Sequence, residues 1–200
     1  AISLKLLMKN KSMNKLKLVQ IFVEGLLSVC EGQAIDIEFE KKSIVSLDEY
    51  KEMIFLKTAY MIGLSAQMGG ILSNLSEKEI LELKEFGDCI GMAYQVQDDL
   101  LELFSDSKSM KKSLESDFTL NKKTFLWVST PETLRSELDS ILSNFNDDKD
   151  GTINKLRNFM EVNKIKQRAE FFIGQNIEKS KRLLDRMSGN THFLRYYSDL

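Results

Sequence analysis

Four polar side chains in the segment 94–102 have the types and spacing that suit a divalent cation. They recur at i, i+3, i+4 and i+7, on one face of a predicted helix, and they are Gln95, Asp98, Asp99 and Glu102. Their neighbours are mostly apolar, so the helix is otherwise expected to be buried. Like charges this close repel, and burying them unpaired is costly, so a cation should meet them.

Mg²⁺ is the favoured cation, because it bridges one or two carboxylates to a phosphate. The alternative is structural. The acids could instead pair with lysine or arginine on a neighbouring helix, or face solvent.

A lysine–threonine pair lies in a predicted helix upstream of these acids. Lys57 and Thr58 have apolar neighbours on both sides, although a lysine there could simply extend its amine to water. A short turn near residues 72–76 is expected to join the two helices as an antiparallel hairpin. By helix rise, Lys57 and Asp98 are then offset by about 10 Å along the axis. That gap suits a diphosphate carrying Mg²⁺ and is too long for a direct ion pair.

A polar stretch, residues 105–123, follows the acidic helix and is interpreted as a loop with short helical turns. It contains Lys112, Asp117 and Lys122. Since it leaves the C-terminal end of the acidic helix, its lysines can fold back over the same mouth. Cations placed there would stabilise a departing diphosphate, whereas loop lysines alone are usually solvated.

Composition excludes several other functions. The 200 residues include 28 Lys and Arg against 30 Asp and Glu, a net charge of -2, so no nucleic-acid partner is expected. No apolar run approaches the roughly 20 residues of a membrane span, so stable membrane insertion is not expected either. The lysine-rich residues 1–23 are interpreted as a solvated helix face and a loop, with membrane-surface binding as the alternative.

Cysteine and histidine are too few for several kinds of site. Cys30 and Cys89 are the only cysteines and His192 is the only histidine, which excludes a Cys/His zinc site and a His-based triad. Both cysteines are predicted to be small buried apolar side chains. Two lone cysteines fit a reducing compartment, and a cytoplasmic protein is expected.

The elements that must position these residues are long helices. The sequence has 1 Pro and 10 Gly, few turn formers for a β-sandwich or barrel, and no stretch shows sustained strand alternation. Ser46–Glu49 and Ser76–Glu79 match the capping box, in which Glu follows Ser by three residues. They predict one helix kinked at Gly69-Gly70 and a second that runs to Phe104.

The remaining helices are predicted at 16–33, 131–145, 152–162 and 164–188, with Thr130 as the N-cap of the second of these. The fold class is therefore an all-α multi-helix bundle. The first residues are typical of the middle of a helix, so the chain is expected to begin inside a longer protein. No linker separates domains, so residues 1–200 are interpreted as part of one domain.

Four segments of the chain resemble motifs of the trans-isoprenyl diphosphate synthases, or polyprenyl synthetases, which include farnesyl and geranylgeranyl diphosphate synthases. The segments are Gly32-Gln33 with Asp36, Lys57-Thr58, the segment 91–102, and Lys112 with Ser116-Asp117 and 121–124. In that order they resemble the GQ-x-x-D helix, the KT pair, the second aspartate-rich motif and the GK-x-x-x-SD-x-x-x-x-KKT stretch. Each is weak alone, whereas all four in family order, across about residues 16–188, are specific.

The resemblance implies an isoprenoid synthase-like bundle around a deep central cavity, with residues 1–200 as its C-terminal part. It also implies a trans-prenyltransferase that condenses isopentenyl diphosphate with an allylic diphosphate. Diphosphate leaves the allylic substrate with the help of Mg²⁺, the isopentenyl double bond attacks the allylic cation, and a proton is lost. A homodimer is the family expectation.

The resemblance assigns metal binding to three acids. Asp98 and Asp99 would hold Mg²⁺ on the allylic diphosphate, with Glu102 as a weaker or outer ligand. Glu102 stands where the family usually has Asp, which loosens the geometry, and Tyr94 replaces the usual Phe.

The resemblance assigns the diphosphate and the cation to a second group of residues. Lys57, Lys112 and Lys122 would contact the diphosphate. Thr58 and Gln95 would orient it and shield the allylic cation.

The first aspartate-rich motif of the family is absent from the chain, as are the arginines that accompany it, since Arg135 is the first arginine. The leading hypothesis is a prenyl diphosphate synthase whose N-terminal helices lie outside this chain. The alternative is a non-catalytic subunit of a heteromeric prenyl diphosphate synthase. A plain helical interaction module is a third reading, disfavoured by the acidic face and its ordered lysines.

Overall fold

The computed structural model describes residues 2–9, 13–105, 122–145 and 147–199, and every regular element in these ranges is a helix. A π-helix (Phe55–Ala59) lies between α3 and α4. The α-helices are α1 (Ile2–Lys9), α2 (Lys15–Phe39), α3 (Leu47–Ile54), α4 (Tyr60–Leu72), α5 (Glu77–Phe104), α6 (Phe125–Val128), α7 (Glu132–Leu142), α8 (Lys149–Val162), α9 (Ile165–Asp185) and α10 (His192–Tyr196). No strand occurs in these ranges, which confirms the predicted all-α class. Lys112 lies outside the described residues.

Both predicted capping boxes are present, and they explain where α3 and α5 begin. Before α3, the Ser46 amide donates to the Glu49 carboxylate at 2.8 Å, and the Glu49 amide donates to Ser46 Oγ at 3.2 Å. Before α5, Ser76 and Glu79 make the same two bonds at 3.1 and 3.3 Å. Each box satisfies backbone amides that a helix start leaves without partners. From its box, α5 runs unbroken to Phe104, as predicted.

Gly69 and Gly70, where loosening or a kink was predicted, both lie within α4, which continues past them to Leu72. Gly70 serves packing, since a Cβ there would lie 3.0 Å from the Leu83 side chain and 3.2 Å from that of Ile80. The departure from α-helical geometry occurs earlier, in the π-helix.

The start of α7 also differs from the prediction. Thr130 is not the N-cap, because its hydroxyl donates to the Leu126 carbonyl at 2.8 Å and so belongs to the turn that follows α6. Pro131 takes the N-cap position instead. The next helix, α8, begins before the predicted residue because the Asp148 carboxylate accepts from the Gly151 amide at 3.0 Å and caps it.

Helix α2 carries more exposed apolar surface than a core helix. Leu18 is fully buried, whereas Val23, Leu26 and Leu27 are exposed. Cys30 is exposed too, so the prediction that both cysteines are buried holds only for Cys89. By length and composition α2 could cross a membrane, which is weak evidence because core helices of soluble proteins and signal sequences pass the same test.

Contacts within the chain define two compact units. The first comprises Ala1–Ile35, Glu52–Gln95 and Gly174–Leu200, and the second comprises Asp36–Lys51 and Val96–Ile173. In the first, Phe86, Cys89 and Ile90 of α5 form a buried cluster with Leu183 and Leu184 of α9. In the second, α7 packs against α8. The single-domain interpretation stays a prediction.

Candidate active site

The π-helix carries Lys57 and Thr58 and is held by two neighbouring glycines. A Cβ built on Gly32 of α2 would collide with the backbone nitrogen of Lys57, and one built on Gly91 of α5 would collide with the Cα of Ala59. The backbones of α2 and α5 therefore touch the π-helix directly. A π-helix is rare and is frequently found at functional sites. Here it fixes the backbone from which Lys57 and Thr58 extend.

Thr58 and Gln95, predicted as one functional pair, are in contact. The Thr58 hydroxyl donates to Gln95 Oε1 at 2.8 Å, and both side chains are partly buried. This bond orients the Gln95 amide and gives the hydroxyl proton a defined direction. The pair thereby provides two oriented dipoles in the first unit, the Thr58 hydroxyl and the Gln95 amide.

Asp98 is a partly buried acid without a counter-charge in the part of the chain that the structure describes. No hydrogen bond or ion pair to its carboxylate occurs there, and burial alone raises its pKa above the ordinary value for aspartate. A partly buried carboxylate has lost part of its hydration, so its ionised form is costly in free energy unless a cation binds to it. The environment of Asp98 therefore fits a ligand for a divalent cation.

Asp99, the next residue on α5, has a different environment. It is buried, and its Oδ2 accepts from the Tyr50 hydroxyl at 2.6 Å and from the Phe125 amide at 2.5 Å. Tyr50 is 1% exposed and meets the Phe125 ring edge-on, with centroids 5.9 Å apart. Burial first, and the Asp99 charge second, raise the pKa of Tyr50 well above its ordinary value. Asp99 thus joins α3, α5 and α6.

Glu102 is partly buried and makes an interaction of its own. Among the described residues no three His, Cys, Asp or Glu side chains stand close enough together to hold a metal ion. A site built only from the acids of this chain is therefore not observed in those residues. Mg²⁺ commonly takes one or two carboxylates and completes its shell with water and substrate phosphates. A single carboxylate such as Asp98 is compatible with that chemistry.

The lysines after the undescribed segment differ from each other. Lys122 is partly buried and engaged in an interaction. Lys123 is 4% exposed, and its ammonium lies 4.4 Å from the centre of the Trp127 ring, which also receives the Arg135 guanidinium at 4.6 Å. Burial lowers the pKa of Lys123. Of the two, Lys122 is the one that could reach a ligand.

Two residues of this region, Tyr50 and Arg157, were not predicted from the sequence. Tyr50 had a usable signal, since a tyrosine on an apolar helix face needs a partner for its hydroxyl. Arg157 had none. Its Nε donates to the Leu103 carbonyl at 2.7 Å and its Nη2 to the Ser105 carbonyl at 3.0 Å. Arg157 thereby satisfies carbonyls at the C-terminal end of α5, just beyond the acids.

Comparison with known proteins gives a consistent result. A protein-family model described as polyprenyl synthetase matches residues 1–162. The chain is 39% identical over 126 residues to a short chain isoprenyl diphosphate synthase of Methanothermobacter thermautotrophicus, covering 61% of this chain and 39% of the relative. It is 32% identical over 127 residues to a geranylgeranyl diphosphate synthase of Sulfolobus acidocaldarius, covering 64% and 38%. The chain thus matches well under half the length of these curated relatives.

Solved structures agree on the fold. The crystal structure of a geranylgeranyl pyrophosphate synthase superimposes with a TM-score of 0.86 at 27% identity, covering 98% of this chain and 62% of that one. That of the geranylgeranyl pyrophosphate synthetase from Pyrococcus horikoshii gives 0.81 at 28% identity, covering 96% and 59%. The chain therefore shares the fold of the corresponding part of these proteins.

Proposed function

The chain belongs to the polyprenyl synthetase family, and from this premise we propose that the whole protein is a Mg²⁺-dependent trans-prenyltransferase. It condenses isopentenyl diphosphate with an allylic diphosphate and releases a longer prenyl diphosphate. The family match and the half-buried, uncompensated Asp98 carboxylate support this function.

We assign metal binding first to Asp98, because its carboxylate makes no hydrogen bond or ion pair among the described residues. The resemblance implies Asp99 and Glu102 as further ligands, of which we retain Glu102, because Asp99 Oδ2 is occupied by the Tyr50 hydroxyl and the Phe125 amide. When bound, Mg²⁺ supplies the positive charge that stabilises the departing diphosphate.

Lys57, Lys112 and Lys122 are assigned to the diphosphate. The assignment of Lys57 is supported by its place on the π-helix. Gly32 contacts the backbone of that helix directly and holds it in place. A lysine whose Cα is fixed binds an anion with less loss of freedom than one on a loose loop. Lys112 and Lys122 rest on the resemblance.

Thr58 and Gln95 are assigned to orientation of the diphosphate and shielding of the allylic cation. This assignment is supported by the hydrogen bond between the two side chains, which fixes the direction of the Thr58 hydroxyl and of the Gln95 amide. Dipoles that are already oriented need no reorganisation when charge develops, and this lowers the barrier.

The proposal depends on the family match together with the Asp98 carboxylate, which has no partner among the described residues. The test uses the full-length protein. Labelled isopentenyl diphosphate and a series of allylic starters are supplied with Mg²⁺, and product is measured with and without a chelator. We expect product only with Mg²⁺, and a loss of about 10²-fold or more in Asp98→Ala. A protein inactive with every starter contradicts the proposal. Activity that appears only after mixing with another synthase chain indicates the non-catalytic subunit instead.

We also propose that the protein is a homodimer and that it is located in the cytoplasm. Val23, Leu26, Leu27 and Cys30 are exposed at i, i+3, i+4 and i+7 on α2, a stripe that a second helix can cover. Both cysteines are free, which suits a reducing compartment. Light scattering should give twice the chain mass, and Leu26→Asp with Leu27→Asp should give the monomer. Recovery in the membrane fraction would contradict the location.

A further inference from the structure

We propose that Asp99 is a positioning residue that acts through Tyr50 and Phe125 and sets the place from which Lys122 extends. This inference rests on the proposed function, because Lys122 matters only if the protein binds a diphosphate. It separates the roles of two adjacent acids that the sequence pattern treats alike.

Asp98 and Asp99 differ in their contacts. They are neighbours on α5, yet Asp98 has no hydrogen bond or ion pair among the described residues, whereas Asp99 Oδ2 accepts two bonds of 2.6 and 2.5 Å. Both donors are neutral groups, a phenol and a backbone amide. Hydrogen bonds to a charged acceptor contribute more than neutral ones. Oδ2 is therefore committed to holding protein segments together.

Tyr50 is held rigidly. Its side chain is fully buried, its ring packs edge-on against Phe125, and its helix begins at the Ser46–Glu49 box only four residues earlier. The buried carboxylate of Asp36 also contributes to raising the pKa of Tyr50. Asp36 belongs to the GQ-x-x-D pattern and Asp99 to the acidic segment, so two of the recognised patterns act on one tyrosine. A buried phenol held in this way is a fixed donor.

The Asp99 bond to the Phe125 amide also constrains the backbone near Lys122. The Phe125 amide opens α6, and Thr124 does not cap it with its side chain. Asp99 does so from α5. Lys122 is three residues before Phe125, and three extended residues span at most about 10 Å. Between them, Lys123 is buried with its ammonium over the Trp127 ring. The position of the Lys122 backbone is therefore set by the Asp99 bond at one end and the Lys123 contact in between.

A metal-ligand role and a positioning role respond differently to asparagine. Asn in place of Asp99 keeps a side-chain oxygen that can accept from Tyr50 and Phe125 but carries no charge. A ligand that loses its charge binds the cation less well. Tyr50→Phe removes one of the two donors without touching a carboxylate.

The test is steady-state kinetics of the full-length protein with Asp98→Asn, Asp99→Asn and Tyr50→Phe. We expect the Mg²⁺ concentration for half activity to rise on the order of tenfold in Asp98→Asn and to change by less than about twofold in Asp99→Asn. Tyr50→Phe should raise the KM for the allylic diphosphate on the order of fivefold, with the Mg²⁺ requirement unchanged. Tyr196→Phe, exposed on α10, is the matched control and should behave as the wild type.

The inference is wrong if Asp99→Asn raises the Mg²⁺ requirement as Asp98→Asn does, or if Tyr50→Phe leaves the KM unchanged. Amide hydrogen exchange over 122–128 gives a readout that needs no activity. It should accelerate in Tyr50→Phe, and unaltered exchange overturns the inference. If the wild type makes no product while this exchange still responds, the proposed function fails and the structural role of Asp99 stands.

Discussion

The Thr58 hydroxyl and the Gln95 side-chain oxygen, 37 residues apart in sequence, are joined by a 2.8 Å hydrogen bond. The bond connects the π-helix to α5 in the first unit. It makes the direction of the Gln95 amide dependent on a hydroxyl at position 58.

We expect Thr58→Val to lower kcat of the full-length protein on the order of tenfold, because the valine keeps the shape and loses the hydroxyl that orients Gln95. Thr58→Ser keeps the hydroxyl and should retain most of the rate. Steady-state kinetics checks both. Equal rates in Thr58→Val and Thr58→Ser would show that the hydroxyl has no part in the reaction.

Gly91→Ala should destabilise the protein by about 1–3 kcal/mol, as overpacking of a close contact does. The new methyl would meet the Cα of Ala59 and push the π-helix away from α5. Because Lys57 and Thr58 are on that π-helix, kcat should fall as well. Chemical denaturation and kinetics measure the two effects.

Gly69→Ala is the matched control for Gly91→Ala. Gly69 lies within α4, and no atom lies within 4 Å of a Cβ built there. Alanine in a helix interior is more favourable than glycine by about 0.5–1 kcal/mol, so this variant should be slightly stabilised and fully active. A similar loss in both variants would rule out the close contact at Gly91 as the cause.

The Glu49 carboxylate should make stability depend on pH in the acid range. The Ser46 amide bond first, then Lys42 and the Ser46 hydroxyl, lower the pKa of Glu49 from 4.5 to about 2. A depressed pKa means that the folded state binds the proton later than the unfolded state does. The contribution is therefore complete above about pH 4.5 and lost as the pH falls toward 2.

Glu49→Gln should flatten the fall in unfolding free energy between pH 4.5 and 2, measured by denaturation at a series of pH values. Glu52→Gln, an exposed acid of the same helix, serves as the control and should keep the slope of the wild type. An unchanged slope in Glu49→Gln would contradict the role of the capping box.

The two cysteines should differ in reactivity. Cys89 is buried, and burial raises the pKa of its thiol to about 11, so almost no thiolate is present at neutral pH. Cys30 is exposed. Iodoacetamide on the folded Leu26→Asp, Leu27→Asp variant, in which loss of the proposed dimer interface leaves Cys30 uncovered, should modify Cys30 and spare Cys89, as read by peptide mass spectrometry, while denaturant makes both react. Modification of native Cys89 would contradict the described packing of α5.

Local features of the chain were predictable because their causes lie within a few residues. The Ser46–Glu49 and Ser76–Glu79 boxes place the starts of α3 and α5 through bonds that span three positions. The single proline and the absence of strand alternation were enough for the all-α class. Motif order was sufficient to point to the family, since it does not depend on how the helices meet.

What only the tertiary structure decided are relationships between distant segments. The π-helix occurs where Gly32 and Gly91 bring two other helices against its backbone, and no local signal at 55–59 marks it. Asp98 and Asp99 share one pattern, yet only Asp99 meets Tyr50 and Phe125, 49 and 26 residues away in sequence. Helical periodicity places both acids on one face. Asp98 is left for a cation because the folded chain brings hydrogen-bond donors to Asp99.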